Sequence, residues 1–133
     1  MGSILQTEII LYVKSQEQST SFYSFILEKQ PSLNVSGMTE FELNTQLKLG
    51  LMPQEGIAKI LGKKVPHPKT GNGIPRCELY FLVTDLVYHY EKIVTFGAHI
   101  ISPIEDRDWG DRAFYLSDPD GHIIAFAERI KTS

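Results

Sequence analysis

Asp118-Pro119-Asp120-Gly121-His122 sets two carboxylates and an imidazole side by side between two apolar runs. Such a group could ligate a metal, work as a catalytic turn, or simply close a hairpin. Proline at the second position and glycine at the fourth are what a type I turn prefers, so the turn is the expected reading. Glu8 and Glu78 are a second candidate, because two acids in an apolar crevice push one pKa upward and yield a base near neutral pH. Tyr12, Tyr80, Tyr115 and Trp109 can stack on flat rings, and the same glutamates can attract an amine or guanidinium. Cys77 adjoins Arg76, which favours a thiolate, but alternation turns it toward the helices, where a small core residue is expected. No serine stands in a nucleophile-elbow sequence. His67, His89, His99 and His122 fall in a linker, on a helix, at a strand start and after a turn, positions typical of surface or capping residues.

These groups need a scaffold, and the chain supplies the same one twice. Thr7 to Ser15 is a β-branched and aromatic run ending in a residue that can cap a helix, and Cys77 to Asp85 has the same shape. An offset of 70 residues puts Glu8 on Glu78, Leu11 on Phe81, Val13 on Val83 and Ser15 on Asp85. Helical spacing follows each cap: Phe22, Phe25 and Ile26, then Leu86, Tyr90, Ile93 and Val94, with Pro31 and Gly97 as the expected stops. Short strands are expected at Ser32–Ser36, Glu40–Asn44 and Leu47–Met52, and again at His99–Pro103, Ala113–Ser117 and His122–Glu128. The expectation is an α+β fold of two βαβββ modules, about 4–52 and 76–130, forming one domain of curved mixed sheets around a pocket. Residues 53–75, rich in Gly, Pro and Lys, form a functional flap or a mobile linker with at most a turn or two of helix around Ile57–Leu61. Gly71-Asn72-Gly73 lacks dinucleotide-fingerprint spacing and reads as a turn.

Alternation along the strands assigns the faces. Ile9, Leu11, Val13, Leu47, Leu49, Leu51, Leu79, Phe81, Val83, Ile124 and Phe126 belong to the core. Glu8, Ile10, Tyr12, Lys48, Gly50, Met52, Glu78, Tyr80, Leu82, Ile123, Ala125 and Ala127 are left on the open side. That side is more apolar than a bare surface, which favours cover by a ligand, a partner subunit, or both, over a half-buried sheet face with chance glutamates. In the charged loop Glu105–Arg112, Trp109 and Arg112 flank Gly110 at the expected pocket rim.

Composition narrows the partners. A net charge of −3 and scattered basic residues, clustered only at Lys63 and Lys64, argue against nucleic acid. One cysteine, no leader-like start and no long apolar run argue for the cytoplasm and against a membrane.

Paired βαβββ halves, "LYVKSQEQSTSFYSFIL" after the first strand, and above all "DWGDRAFYLSDPDGHIIAFAE" from Asp108 to Glu128 together resemble the vicinal oxygen chelate superfamily. That group contains glyoxalase I, extradiol dioxygenases, and fosfomycin- and bleomycin-resistance proteins. The resemblance implies an open pocket, commonly completed by a homodimer, with the modules pairing within a chain or across two. Metal-binding members draw ligands from positions that match Glu8, Gly50, Glu78 and Ala125. Two of these carry no donor atom, so no cofactor is expected beyond a weakly held divalent cation. The resemblance therefore points to the metal-free, bleomycin-resistance-like branch, binding a planar or cationic small molecule. The alternative is a glyoxalase-like lyase or isomerase with Glu8 or Glu78 as ligand or general base, and Lys48, Arg112 or a weakly held metal as electrophile.

Overall fold

The computed structural model describes residues 2–131, which divide into two compact units at the Asn72/Gly73 boundary. In the first, β1 (Thr7–Val13) leads to α1 (Gln16–Leu27), β2 (Leu33–Val35), β3 (Met38–Asn44) and β4 (Leu47–Pro53), followed by α2 (Gln54–Leu61). In the second, β5 (Glu78–Leu82) leads to α3 (Leu86–Phe96), β6 (His99–Asp106), β7 (Asp111–Ser117) and β8 (Ile123–Arg129). Each unit carries a four-stranded mixed sheet, in the orders β1-β4-β3-β2 and β5-β8-β7-β6. In both, the first and last strands pair in parallel and the other neighbours run antiparallel. This is the α+β architecture of repeated βαβββ modules that the sequence pattern predicts.

Local chemistry explains the repeat. Ser15 and Asp85 each stand in non-helical backbone and accept a backbone N–H, from Gln18 at 3.1 Å and from Tyr88 at 3.2 Å. They satisfy donors that the first helical turn leaves open, a contribution of about 1 kcal/mol each. Helix α1 packs on β3 and β4, and Phe22, Tyr23 and Ile26 meet Phe41, Leu49 and Leu51 in a fully desolvated layer. Helix α3 packs on β8 and β6. Below it Phe114 and Phe126 stack at 5.6 Å, with Tyr90 edge-on to Phe114 at 4.9 Å and His89 stacked on Phe126 at 5.2 Å.

Several details depart from expectation. Helix α1 ends at Leu27, not at Pro31, because Glu28 adopts the left-handed region (φ 56°) and its N–H turns back to Phe25 O. Gly97 ends α3 as expected, with φ 92°. Segment 53–72 is more ordered than a bare linker: α2 has eight residues, and 3-10 turns follow at Gly62–Lys64 and Pro68–Gly71. Ile9 (41% exposed) and Val94 (45%) fall outside the core. Cys77 is exposed; it precedes β5, so strand alternation does not apply to it.

The Asp118 turn is as expected, and its side chain does more than the sequence suggests. Gly121 N–H donates to Asp118 O at 3.1 Å, closing the turn. The buried Asp118 carboxylate accepts the N–H groups of Asp120 and His122, both at 2.9 Å, and pairs with His122 Nδ1 at 2.7 Å. Gly121 has φ 91° and lies so near Gly73 that a Cβ would sit 2.7 Å from that residue's Cα. Any other residue would be strained and would clash there.

Candidate functional site

On the first sheet, register brings most of the expected residues to one face. Glu8 lies opposite Lys48, Ile10 opposite Gly50, and Tyr12 opposite Met52. Strand β3 adds Glu40 opposite Gly50, a residue that the sequence reading did not single out. Lys48 Nζ donates to Glu40 Oε1 at 3.4 Å, and Glu40 is also within hydrogen-bonding reach of Glu8. Burial, first, and then the hydrogen bond and charge of Glu40 raise the pKa of Glu8, while Lys48 opposes the shift. Gly50 makes room for the arrangement, since a Cβ there would run into the Glu8 carboxylate and lie 3.0 Å from Ile10 Cγ1. Glu8 Oε2 is buried without a hydrogen-bond partner among the described residues. Glu8 thus finds an acidic neighbour within its own sheet, two strands away.

On the second sheet, Tyr80 and Tyr115 occupy the strands on either side of Ala125, both in register with it. Trp109 Nε1 donates to Tyr80 Oη at 2.8 Å, and Tyr80 Oη donates to Asp111 Oδ2 at 2.6 Å. Burial, then the Asp111 hydrogen bond, raise the Tyr80 pKa against the opposing effect of Trp109. Burial and the nearby charge of Glu78 do the same to Tyr115, whose ring lies 5.1 Å below the Arg107 guanidinium. Neither phenol is set up to be a phenolate base.

Three expectations change here. Arg112 does not reach the tyrosines: it points to the opposite face of β7, in register with Glu128, and pairs with Asp106 at 2.8 Å. Alternation gives the tyrosine face to Asp111 instead. Ala125 and Ala127 face away from Ile124 and Phe126, as expected, but both are fully buried rather than open. The loop Glu105–Arg112 shrinks to residues 107–110, because β6 extends to Asp106 and β7 starts at Asp111.

A family model described as a glyoxalase-like domain matches residues 6–131. The chain belongs to the glyoxalase-like domain family. It thereby falls within the vicinal oxygen chelate superfamily. Among solved structures, a glyoxalase-related enzyme from Fulvimarina pelagi superimposes with a TM-score of 0.76 at 21% identity, covering 92% of this chain and 86% of that one. A glyoxalase/bleomycin resistance protein/dioxygenase from Nocardioides gives 0.76 at 20% identity, covering 100% and 87%. These likenesses establish the fold. An uncharacterised protein of Mycobacterium bovis is 29% identical over 81 residues, which cover 61% of this chain and 53% of that protein. The matched part spans about half the length of such curated relatives.

The metal-ligand positions that the resemblance implies are incomplete in each unit taken by itself. Gly50 and Ala125 offer no donor atom, and Ala125 is buried between two tyrosine-bearing strands. Glu78 is exposed at the start of β5, and Lys48 already places an ammonium on Glu40. Taken by itself, the first sheet offers a half-buried glutamate with a cation beside its neighbour, fewer than the three or more protein donors of a closed site. Elsewhere, ligand atoms of Asp118, Asp120 and His122 lie within 4.8 Å of one another, but both Asp118 oxygens already bind turn donors.

Proposed function

We propose that this glyoxalase-like protein binds a planar, cationic small molecule on the open faces of its sheets without a metal, as a homodimer in the cytoplasm. The observation that carries the reading is the aromatic corner of Tyr80, Trp109 and Tyr115, in which the Trp109 ring is 57% exposed although it is held by a hydrogen bond. Exposed yet fixed aromatic faces favour stacking and cation–π contact at little cost in ordering. On the first sheet, separately, the buried Oε2 of Glu8 has no hydrogen-bond partner among the described residues, which supports a ligand that carries a donor. The missing donors at Gly50 and Ala125 support metal independence, and the lone cysteine supports the compartment; among the described residues no helix is long and apolar enough to cross a membrane.

Thermal-shift titration with planar cations, on protein whose metal content has been measured, tests the reading. A ligand at a hundred times its Kd stabilises by about 2.7 kcal/mol, so even a modest binder registers. Shifts that depend on added divalent metal, or none with any flat cation, count against it.

A second reading has one observation in its favour. The raised pKa and unpartnered oxygen of Glu8 suit a general base in a glyoxalase-like isomerase or lyase. A hemithioacetal isomerase assay with and without Ni²⁺ or Zn²⁺ decides it: turnover that Glu8→Gln abolishes replaces the binding-only reading.

A further inference from the structure

The rings of the second unit are joined by hydrogen bonds to a buried acid that none of the sequence patterns pointed to. Asp111 is 3% exposed; one of its oxygens takes the Tyr80 proton at 2.6 Å and the other faces Arg129 Nη1 at 3.4 Å. Tyr80 Oη receives the Trp109 indole N–H at 2.8 Å. A phenol has one proton and an indole has one N–H. Both are committed within the chain of bonds, so neither ring has a donor left for a ligand, and what each offers is a face. The two rings stand with centroids 6.5 Å apart and planes at 59°.

The backbone holds the same geometry from the other side. Arg107 N–H donates to Asp111 O at 2.7 Å and Gly110 N–H to Arg107 O at 3.2 Å, closing a tight turn that needs Gly110 at φ 93°. The Arg107 side chain ties this turn to Pro103 O at 2.9 Å and Ala113 O at 2.8 Å. Trp109 therefore projects from a pinned turn onto a tyrosine that is itself pinned.

From this geometry we infer that Asp111 is the positioning and specificity-determining residue of the aromatic corner: by taking the Tyr80 proton it fixes Tyr80 and Trp109 as ring faces. Such a corner selects a flat cationic ring that requires no hydrogen-bond donor from the protein. The inference rests on the ligand-binding reading above for its ligand, and on the hydrogen-bonded chain alone for the role of Asp111.

Trp109 is the only tryptophan in the chain, so intrinsic fluorescence reports on this corner by itself. The experiment compares wild type with Asp111→Ala, Asp111→Asn and Tyr80→Phe in acrylamide quenching of Trp109. The same proteins are titrated with N-methylquinolinium, a flat cation, and with tetramethylammonium, a cation without a ring. Asp111→Ala and Tyr80→Phe are expected to expose the indole to quencher and to weaken N-methylquinolinium roughly two- to tenfold, the worth of one hydrogen bond. Asp111→Asn, which keeps an acceptor oxygen, is expected to stay near wild type, and tetramethylammonium, which makes the cation–π contact but cannot stack, to bind more weakly than N-methylquinolinium and to lose less in the variants. Tyr80→Phe leaves the Asp111–Arg129 pair in place and carries the test if Asp111→Ala does not fold. Unchanged quenching in Tyr80→Phe, or an Asn variant as impaired as Ala, overturns the role of Asp111. Failure of N-methylquinolinium to bind wild type overturns the ligand class, while the quenching comparison still decides the role of Asp111.

Discussion

Replacing Asp118 by Asn separates the two tasks of that side chain. Its Oδ1 accepts two backbone N–H groups at 2.9 Å and its Oδ2 pairs with His122 Nδ1 at 2.7 Å. Asparagine keeps a carbonyl oxygen for the backbone donors and presents an amide N–H₂ where the second oxygen stood. The loss is then one charge-assisted hydrogen bond in a site where Asp118 is fully buried and His122 is 21% exposed, about 1.5–3 kcal/mol. The loss depends on pH. Burial works to lower the His122 pKa, but the Asp118 hydrogen bond and charge, aided by Asp120, outweigh it and raise the value above 6.5. A raised folded-state pKa means the pair's contribution is fully present below the unfolded histidine's value and disappears as pH rises through the folded one. Urea denaturation followed by circular dichroism is expected to show a larger gap between wild type and Asp118→Asn at pH 5.5 than at pH 9. In a His122→Ala background the gap should no longer vary with pH. An equal gap at both pH values in the wild-type background would refute the proton linkage and leave Asp118 as a backbone cap only.

The first sheet offers a second titration. Carboxyl ¹³C NMR is expected to show the Glu8 midpoint falling in Glu40→Gln, which removes a neighbouring charge, and rising in Lys48→Met, which removes the opposing one; a midpoint indifferent to both refutes the electrostatic coupling of the three side chains. On the second sheet, Ala125→Glu buries a carboxylate with no partner, at a cost of about 3–5 kcal/mol that grows with pH as the group is forced to ionise. Wild-type stability in a urea melt of that variant would show that the position is not sealed.

The elements were legible because their signals are local. Caps at Ser15 and Asp85, β-branched runs and the Asp-Pro-Asp-Gly turn each act within a few residues, and the duplication repeats them. The site was half legible for a related reason. Alternation put Glu8, Lys48 and Gly50 on one face, and Tyr80, Tyr115 and Ala125 on another, without knowledge of register. Glu40 and Asp111 were missed because their importance comes from pairing across strands: Glu40 from lying opposite Gly50, Asp111 from the reach of Tyr80. Arg112, expected at a loop rim, lies on β7 one residue from Asp111, and one residue on a strand reverses the face. Ending α1 at Glu28 was beyond a residue-type argument, since glutamate does not favour the left-handed region and tertiary context overrode its preference.

In each sheet the first strand pairs with the last, β1 with β4 and β5 with β8. Such parallel partners are far apart in sequence, and the chain must loop back before either sheet can close. On a ribosome, β1 stays an unpaired edge until Pro53 has emerged, yet every strand partner in its sheet is by then available. The duplicated order therefore divides synthesis into two closure events, and the first requires no strand from Glu78 onward.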